Sequence, residues 1–235
     1  MPAVTAEKMD DGFNRLVFAY FNPTVAAEWA PRILDGVWVT CLVSLAVVAT
    51  GLTLGLVLAS LRAFCIAPLN VGIVVFVDML RALPPLVVII ILFFAFPYID
   101  LPMSAFTATW LSLSLVLAAF AEEIWWAGIL AVPRGQWEAA RSTGLSFAVT
   151  LGWVVLPQAV RMTIPPLVNR VIAVTKGTAL GSVVALSEIV SQASSAASLA
   201  GNPTPLTLGA AAYLVIFIPV VILGRWIETR FAWKR

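Results

Sequence analysis

The sequence contains no histidine, only two cysteines (Cys41 and Cys65) and only three lysines (Lys8, Lys176 and Lys234). Without histidine, no Ser-His-Asp triad, Cys-His dyad, His-ligated zinc or His-ligated haem can be built from this chain. Two cysteines are too few for a zinc or iron–sulfur site. On one helix Cys41 and Cys65 would stand about 36 Å apart at 1.5 Å per residue, which also rules out a disulfide between them. None of the lysines precedes Ser or Thr, so the chain has no Walker A phosphate loop. No metal site is expected, and ATP, if used, must be bound by another chain. Charge is scarce as well. Charged residues make up 11% of the chain, against about 25% in ordinary soluble domains. The net charge of +2 gives no electrostatic case for nucleic acid as a partner.

What replaces charge is apolar surface. The apolar fraction is 61%, and a single soluble core of 235 residues cannot hide that much. The expected fold is an all-α integral membrane protein with five transmembrane helices. Val37 to Leu61 is 25 residues without a charge, more than the roughly 20 needed to cross a bilayer. A second span is expected from about Gly72 to Pro97, with Asp78 and Arg81 in its first half. A third runs from beyond Pro102 through Glu122 and Glu123 to about Ala131, with Trp125 and Trp126 suited to an aromatic belt. A fourth, from about Pro166 to Ser187, carries Asn169, Arg170 and Lys176, so it must face protein or water rather than lipid. A polar loop from Ser191 to Pro205 follows, and then an uncharged fifth span from Thr204 to Gly224.

Ser142 to Val160 is also uncharged, but it holds Gly144, Gly152 and Pro157 and is flanked by Arg134, Arg141 and Arg161. It reads as two short helices lying flat at the cytoplasmic face. That placement satisfies the positive-inside rule. The loop after the third span and the tail with Arg225, Arg230, Lys234 and Arg235 are basic. The first 35 residues carry five acids (Glu7, Asp10, Asp11, Glu28 and Asp35) against three bases (Lys8, Arg15 and Arg32). The expected topology is therefore N-terminus outside and C-terminus in the cytoplasm. The chain divides into a leader (1–35) without signal-peptide character, a transmembrane domain (36–227) and a tail (228–235). Residues 28–35 read either as an interfacial amphipathic turn or as a flexible leader.

The most informative segment is Pro133-Arg134-Gly135-Gln136-Trp137-Glu138-Ala139-Ala140-Arg141-Ser142-Thr143-Gly144. Gln136 to Thr143 reads as a short helix. Ala139 and Ala140 give it a smooth side, and Gly144 suits the left-handed position after its end. Glu138-Ala139-Ala140, with Gly144 four residues after Ala140 and Leu156-Pro157-Gln158-Ala159 downstream, resembles the EAA motif of ABC-importer permeases. The surrounding text is similar to the polar amino acid uptake subfamily. It includes Gly36 and Thr40, Leu80 to Pro84, Glu123-Ile124, Ala127-Gly128, Pro165, Asn169 and Lys176 to Leu180.

The resemblance implies a function. The elbow at 134–160 would be the coupling element that docks on a separate ATPase subunit through Gln136, Glu138, Ala139, Ala140 and Gly144. ATP and magnesium would sit on an ATPase dimer, and this chain would bind no cofactor. A second permease, identical or sister, would complete the pathway, and a periplasmic or lipid-anchored solute-binding protein would deliver the solute. The pair would rock between inward-facing and outward-facing states in the bacterial inner membrane. Four positions depart from the family pattern: Ala82-Leu83 stands for Gly-Thr, Trp126 for an arginine and Gly177 for an acid.

Ionisable residues at bilayer depth are functional candidates by default. Two readings fit Asn169, Arg170, Lys176, Thr178 and Glu123: a pocket for the charged ends of an amino acid, or interhelical pairs that hold the bundle, with Glu122 or Glu123 approaching Arg170 or Lys176. Asp78 and Arg81, three apart, read as a structural ion pair. A gated channel, or a structural subunit without its own solute pocket, is the alternative reading. It leaves the elbow unexplained. A membrane enzyme would need clustered acids, and Glu122 and Glu123, being adjacent, point about 100° apart on a helix.

Overall fold

The computed structural model describes residues 12–231. The charges at Glu7, Lys8, Asp10, Asp11, Lys234 and Arg235 lie outside the described residues. After a short helix, α1 (Gly12–Tyr20), comes the longest element, α2 (Pro23–Arg62). Its start is fixed by Asn22, whose side chain accepts hydrogen bonds from the amides of Thr24 and Val25, with Pro23 in the first turn. Residues 28–35, read from sequence as a turn or a loose leader, belong to this helix. Pro31 is accommodated within it.

One stripe of α2 is buried: Ile33, Gly36, Thr40, Val43, Val47, Gly51, Gly55 and Ala59, spaced at three and four. It packs on α5 (Ala105–Ala131), the most enclosed helix of the bundle. Gly51 and Gly55 set the distance between the two. A Cβ at 55 would lie 2.7 Å from the Ala121 Cβ and 2.8 Å from the Ala118 carbonyl, so only glycine admits this approach.

The second span is a broken helix rather than a single rod. α3 (Ala67–Ala82) and the arm that starts with α4 (Pro85–Ile90) and runs on as π and 3-10 turns to Ile99 meet at 103°. The cause is local. Pro84 and Pro85 provide no amide hydrogen, and residues before proline leave the helical region, as Leu83 (ψ 133°) and Pro84 (ψ 134°) do. The span expected from Gly72 to Pro97 is therefore bent at the two prolines rather than straight. Among the described residues, four helices are long and apolar enough to cross a membrane, and the bent pair makes five if counted as one span.

The elbow also differs from expectation. α6 (Arg134–Ser142) is the short helix read from the sequence, and it ends at Gly144 with φ +88°. The following segment does not lie flat as a second helix. α7 (Phe147–Thr150) passes through a π turn (Leu151–Val155) into α8 (Leu156–Lys176), and a 3-10 stretch (Gly177–Val184) extends it, giving one apolar run from Phe147 to Val184. Pro157 follows just after the π turn, where its ring and missing amide interrupt the regular i→i−4 ladder of the continuous run.

The polar loop expected at Ser191–Pro205 is mostly helix, α9 (Ile189–Ala200). Alanine is the best helix former, and Ile189, Ala193 and Ala196 bury one face against α2 and α10 (Thr204–Phe231). Gly201, with φ +59°, closes α9 and lets the chain reverse into α10.

Candidate functional site

Two candidate regions emerge, one at the elbow and one along the polar face of α8. At the elbow, α6 turns Ala140 and half of Trp137 inward and leaves Gln136, Glu138 and Ala139 exposed. Trp137 stacks on Phe147 (centroids 5.3 Å, 24°), and Phe147 meets Phe64 edge-on at 5.2 Å. This aromatic set fixes α6 to the ends of α2 and α7 while its small-residue face stays open. Ser142 donates to the Glu138 carbonyl and Thr143 to the Ala140 carbonyl, so the helix end is satisfied before Gly144 turns the chain. The Gln158 amide reaches Gln136 Oε1 at 3.4 Å, tying the two EAA-like blocks together.

Inside the spans, the neighbouring acids of α5 serve different helices. Glu122, fully buried, holds Arg62 at 3.0 Å, and the Arg62 guanidinium lies 4.8 Å from the Trp126 ring centroid. Glu123, half exposed, holds Arg81 at 2.7 Å. Arg81 also lies 3.7 Å from Asp78, so the expected Asp78–Arg81 pair is present as the weaker of its two contacts. Phe120 is flanked by two guanidinium groups: Arg170 at 3.7 Å and Arg81 at 5.6 Å from its centroid. Neither Glu122 nor Glu123 forms an ion pair with Arg170 or Lys176, contrary to one expectation.

The remaining candidates separate. Pro166, Asn169, Ala173 and Lys176 are exposed at spacings of three and four, forming one open face of α8. Asn169 donates to Glu228 of α10 at 2.8 Å. Lys176 has no hydrogen-bond or ion-pair partner among the described residues and lines a groove of about 550 Å³ with Tyr213, Phe217 and Arg225. Thr178 is fully buried and donates to the Thr175 carbonyl, so it does not reach that groove.

Sequence reasoning missed Arg62 and Glu188 as buried-network residues. Arg62 was legible only as the charge that ends a span. Glu188 is fully buried and caps α9 through the amides of Val190 and Ser191, while the Tyr213 hydroxyl donates to it at 3.0 Å. Burial pushes its carboxyl above the ordinary carboxylate range, and these three hydrogen bonds oppose that. The signal that could have found it is the Ala/Ser helix it precedes. Among the described residues, no cluster of Asp, Glu and Cys could hold a metal ion.

Several apolar spans tied by ion pairs, with one short amphipathic helix displayed beside them, describe a polytopic membrane protein. Comparison with known proteins narrows this. Residues 51–233 match the family model for the binding-protein-dependent transport system inner membrane component. The probable amino-acid ABC transporter permease protein YckA of Bacillus subtilis (strain 168) is 35% identical, over 77% of this chain and 80% of the relative. The L-cystine transport system permease protein TcyB of the same organism is 36% identical, over 72% of each. The crystal structure of an amino acid ABC transporter with histidines superposes with a TM-score of 0.78 at 29% identity, covering 87% of this chain and 96% of that one. The chain belongs to the family of binding-protein-dependent transport system inner membrane components.

Proposed function

We propose that this chain is the permease subunit of an ATP-driven importer for polar amino acids or close relatives. The observation that carries the reading is the open small-residue face of α6, held rigidly by Trp137 and Phe147 and displayed outside the bundle. Gln136, Glu138 and Ala139 on that face dock on a separate ATPase dimer, which binds ATP and magnesium. Ala140 and Gly144 shape the helix and its exit. The chain itself performs no catalysis.

The open face of α8, with Asn169, Ala173 and Lys176, together with Arg170 and Glu123 nearby, lines the solute path of a pair formed with a second permease, identical or sister. Lys176 takes the α-carboxylate of the amino acid. A cation without a protein partner at this depth is stabilised by a ligand or by water in a cavity. The basic residues Arg62, Arg134, Arg141, Arg161, Arg225 and Arg230 gather at one end of the spans, which supports a cytoplasmic C-terminus and an N-terminus outside. On that outer side a periplasmic or lipid-anchored solute-binding protein delivers substrate.

The test is co-purification and coupling. In Glu138→Arg, the permease should still insert and fold, while retention of the ATPase falls at least about tenfold, as expected for an unmatched charge in a docked interface. Full retention of the ATPase by that variant would sink the docking assignment.

A further inference from the structure

A second cavity lies at the basic end of the bundle, away from the α8 face. Its volume is about 360 Å³, and Ala63, Trp126, Leu130, Arg134, Trp137 and Phe147 line it. It is on the inward, Trp137 side of α6, opposite the side displaying Glu138 and Ala139. We infer that this cavity is a binding site for an anionic phospholipid, its apolar wall taking an acyl chain and Arg134 taking the headgroup phosphate.

Three observations meet here. The first is depth. The cavity is bounded by the end of α2, where the uncharged run closes at Arg62, and by the end of α5 at Ala131. It therefore lies where hydrocarbon gives way to headgroups. The second is exposure. Leu130 in its wall is 64% exposed, and Phe64 and Ile66, which flank the lining residue Cys65 in sequence, are exposed as well. Such a belt of aromatic and aliphatic side chains suits an interfacial position. Trp126 is presented with its ring fixed by Arg62, which is itself held by Glu122.

The third is charge. Arg134 is exposed and pairs with no carboxylate among the described residues, although Glu138 is one turn away. A free guanidinium at the rim of an apolar slot matches the chemistry of a lipid phosphate with its chain. A bound lipid would brace α6 against the ends of α2 and α5, on the side that no ATPase needs to cover. The inference rests on the proposed orientation only for which leaflet supplies the lipid.

The test uses the full chain with its ATPase, reconstituted in phosphatidylcholine vesicles containing a minor fraction of either brominated phosphatidylglycerol or brominated phosphatidylcholine. Bromine quenches tryptophan at contact. The Trp126 and Trp137 contribution is obtained by subtracting the Trp126→Phe/Trp137→Phe chain, or the Trp137→Phe chain should the double variant fail to accumulate. That contribution should be quenched about fivefold more by the phosphatidylglycerol probe at equal mole fraction, and Arg134→Gln should remove the preference. Equal quenching by both lipids in the parent chain overturns the site. Absence of quenching by either overturns it too, because protein then covers the cavity. Orientation is read separately, by an impermeant maleimide on Cys65 in a Cys41→Ala background. Labelling in right-side-out vesicles would sink the orientation, while the quenching ratio still decides the lipid site.

Discussion

Charge within the spans is housed in two ways. Arg62 and Arg81 each lie against an acid of α5, Glu122 and Glu123, at 3.0 and 2.7 Å. Lys176, on the open face of α8, lies against no acid among the described residues, and Arg170 on the same helix lies over the Phe120 ring instead. The paired charges sit where α2, α3 and α5 pack together. They cancel internally and tie helices to one another. Lys176 sits where α8 leaves regular α geometry for a 3-10 stretch and faces a groove. Paired charge ties helices together, whereas the unpaired lysine stays open to the groove, as the proposed solute path requires.

Four substitutions break or sharpen this contrast. The largest effect is expected from Glu122→Ala. It strands a partly enclosed Arg62 beside a fully buried site, and breaking such a pair costs about 3 kcal/mol or more. The permease should lose its monodisperse peak on gel filtration in detergent, and normal yield with an unchanged melting temperature would remove the architectural role. Next comes Lys176→Met, which should lower uptake at least about tenfold, equivalent to about 1.4 kcal/mol in the limiting step, while complex yield stays at the parent level. Uptake measured in proteoliposomes against recovery of the assembled complex separates the two roles. Loss of assembly instead would place Lys176 with the paired charges.

Gly144→Ala forces a side chain into φ +88°, a strain of about 1–2 kcal/mol at the elbow. Solute moved per ATP hydrolysed should fall with insertion intact, since nothing within 4 Å of the added Cβ would clash. The smallest effect is expected from Asp78→Asn. The pair with Arg81 is long and largely exposed, and such pairs contribute about 0–1 kcal/mol. A melting temperature within a degree or two of the parent is the expected result.

Much of the fold was legible because hydropathy and charge both act along the chain. The uncharged run before Arg62, the third span and the short helix before Gly144 all follow from local pattern. The break at Leu83-Pro84-Pro85 was written in the sequence too, but a hydropathy window averages over it and joins two arms into one span. The flat reading of 147–160 failed for a different reason. The arginines around it, Arg141 and Arg161, were taken to hold it at a surface, whereas α7, the π turn and α8 simply continue inward from there. Glu188 and the helix it caps were hidden because Ser and Ala look like a loop by polarity, and only burial against α2 and α10 makes them a helix. Partner choice between acids could not be read at all. Glu122 and Glu123 are adjacent in sequence, and three-dimensional packing alone assigns one to Arg62 and the other to Arg81.

The length of α2 has a mechanical consequence. Its 40 residues extend about 60 Å, roughly twice the hydrocarbon thickness of a bilayer. The 14 residues ahead of the uncharged Val37–Leu61 run, about 21 Å of the rod, precede the expected crossing, and α9 splints them through the tight Gly36–Ile189 contact. A rod of that length pivoting by about 10° near Arg62 carries its far tip through about 10 Å. A tilt too small to notice at the Arg62 end would thus be felt as a displacement of several ångströms at the end that Gly36 seats against α9.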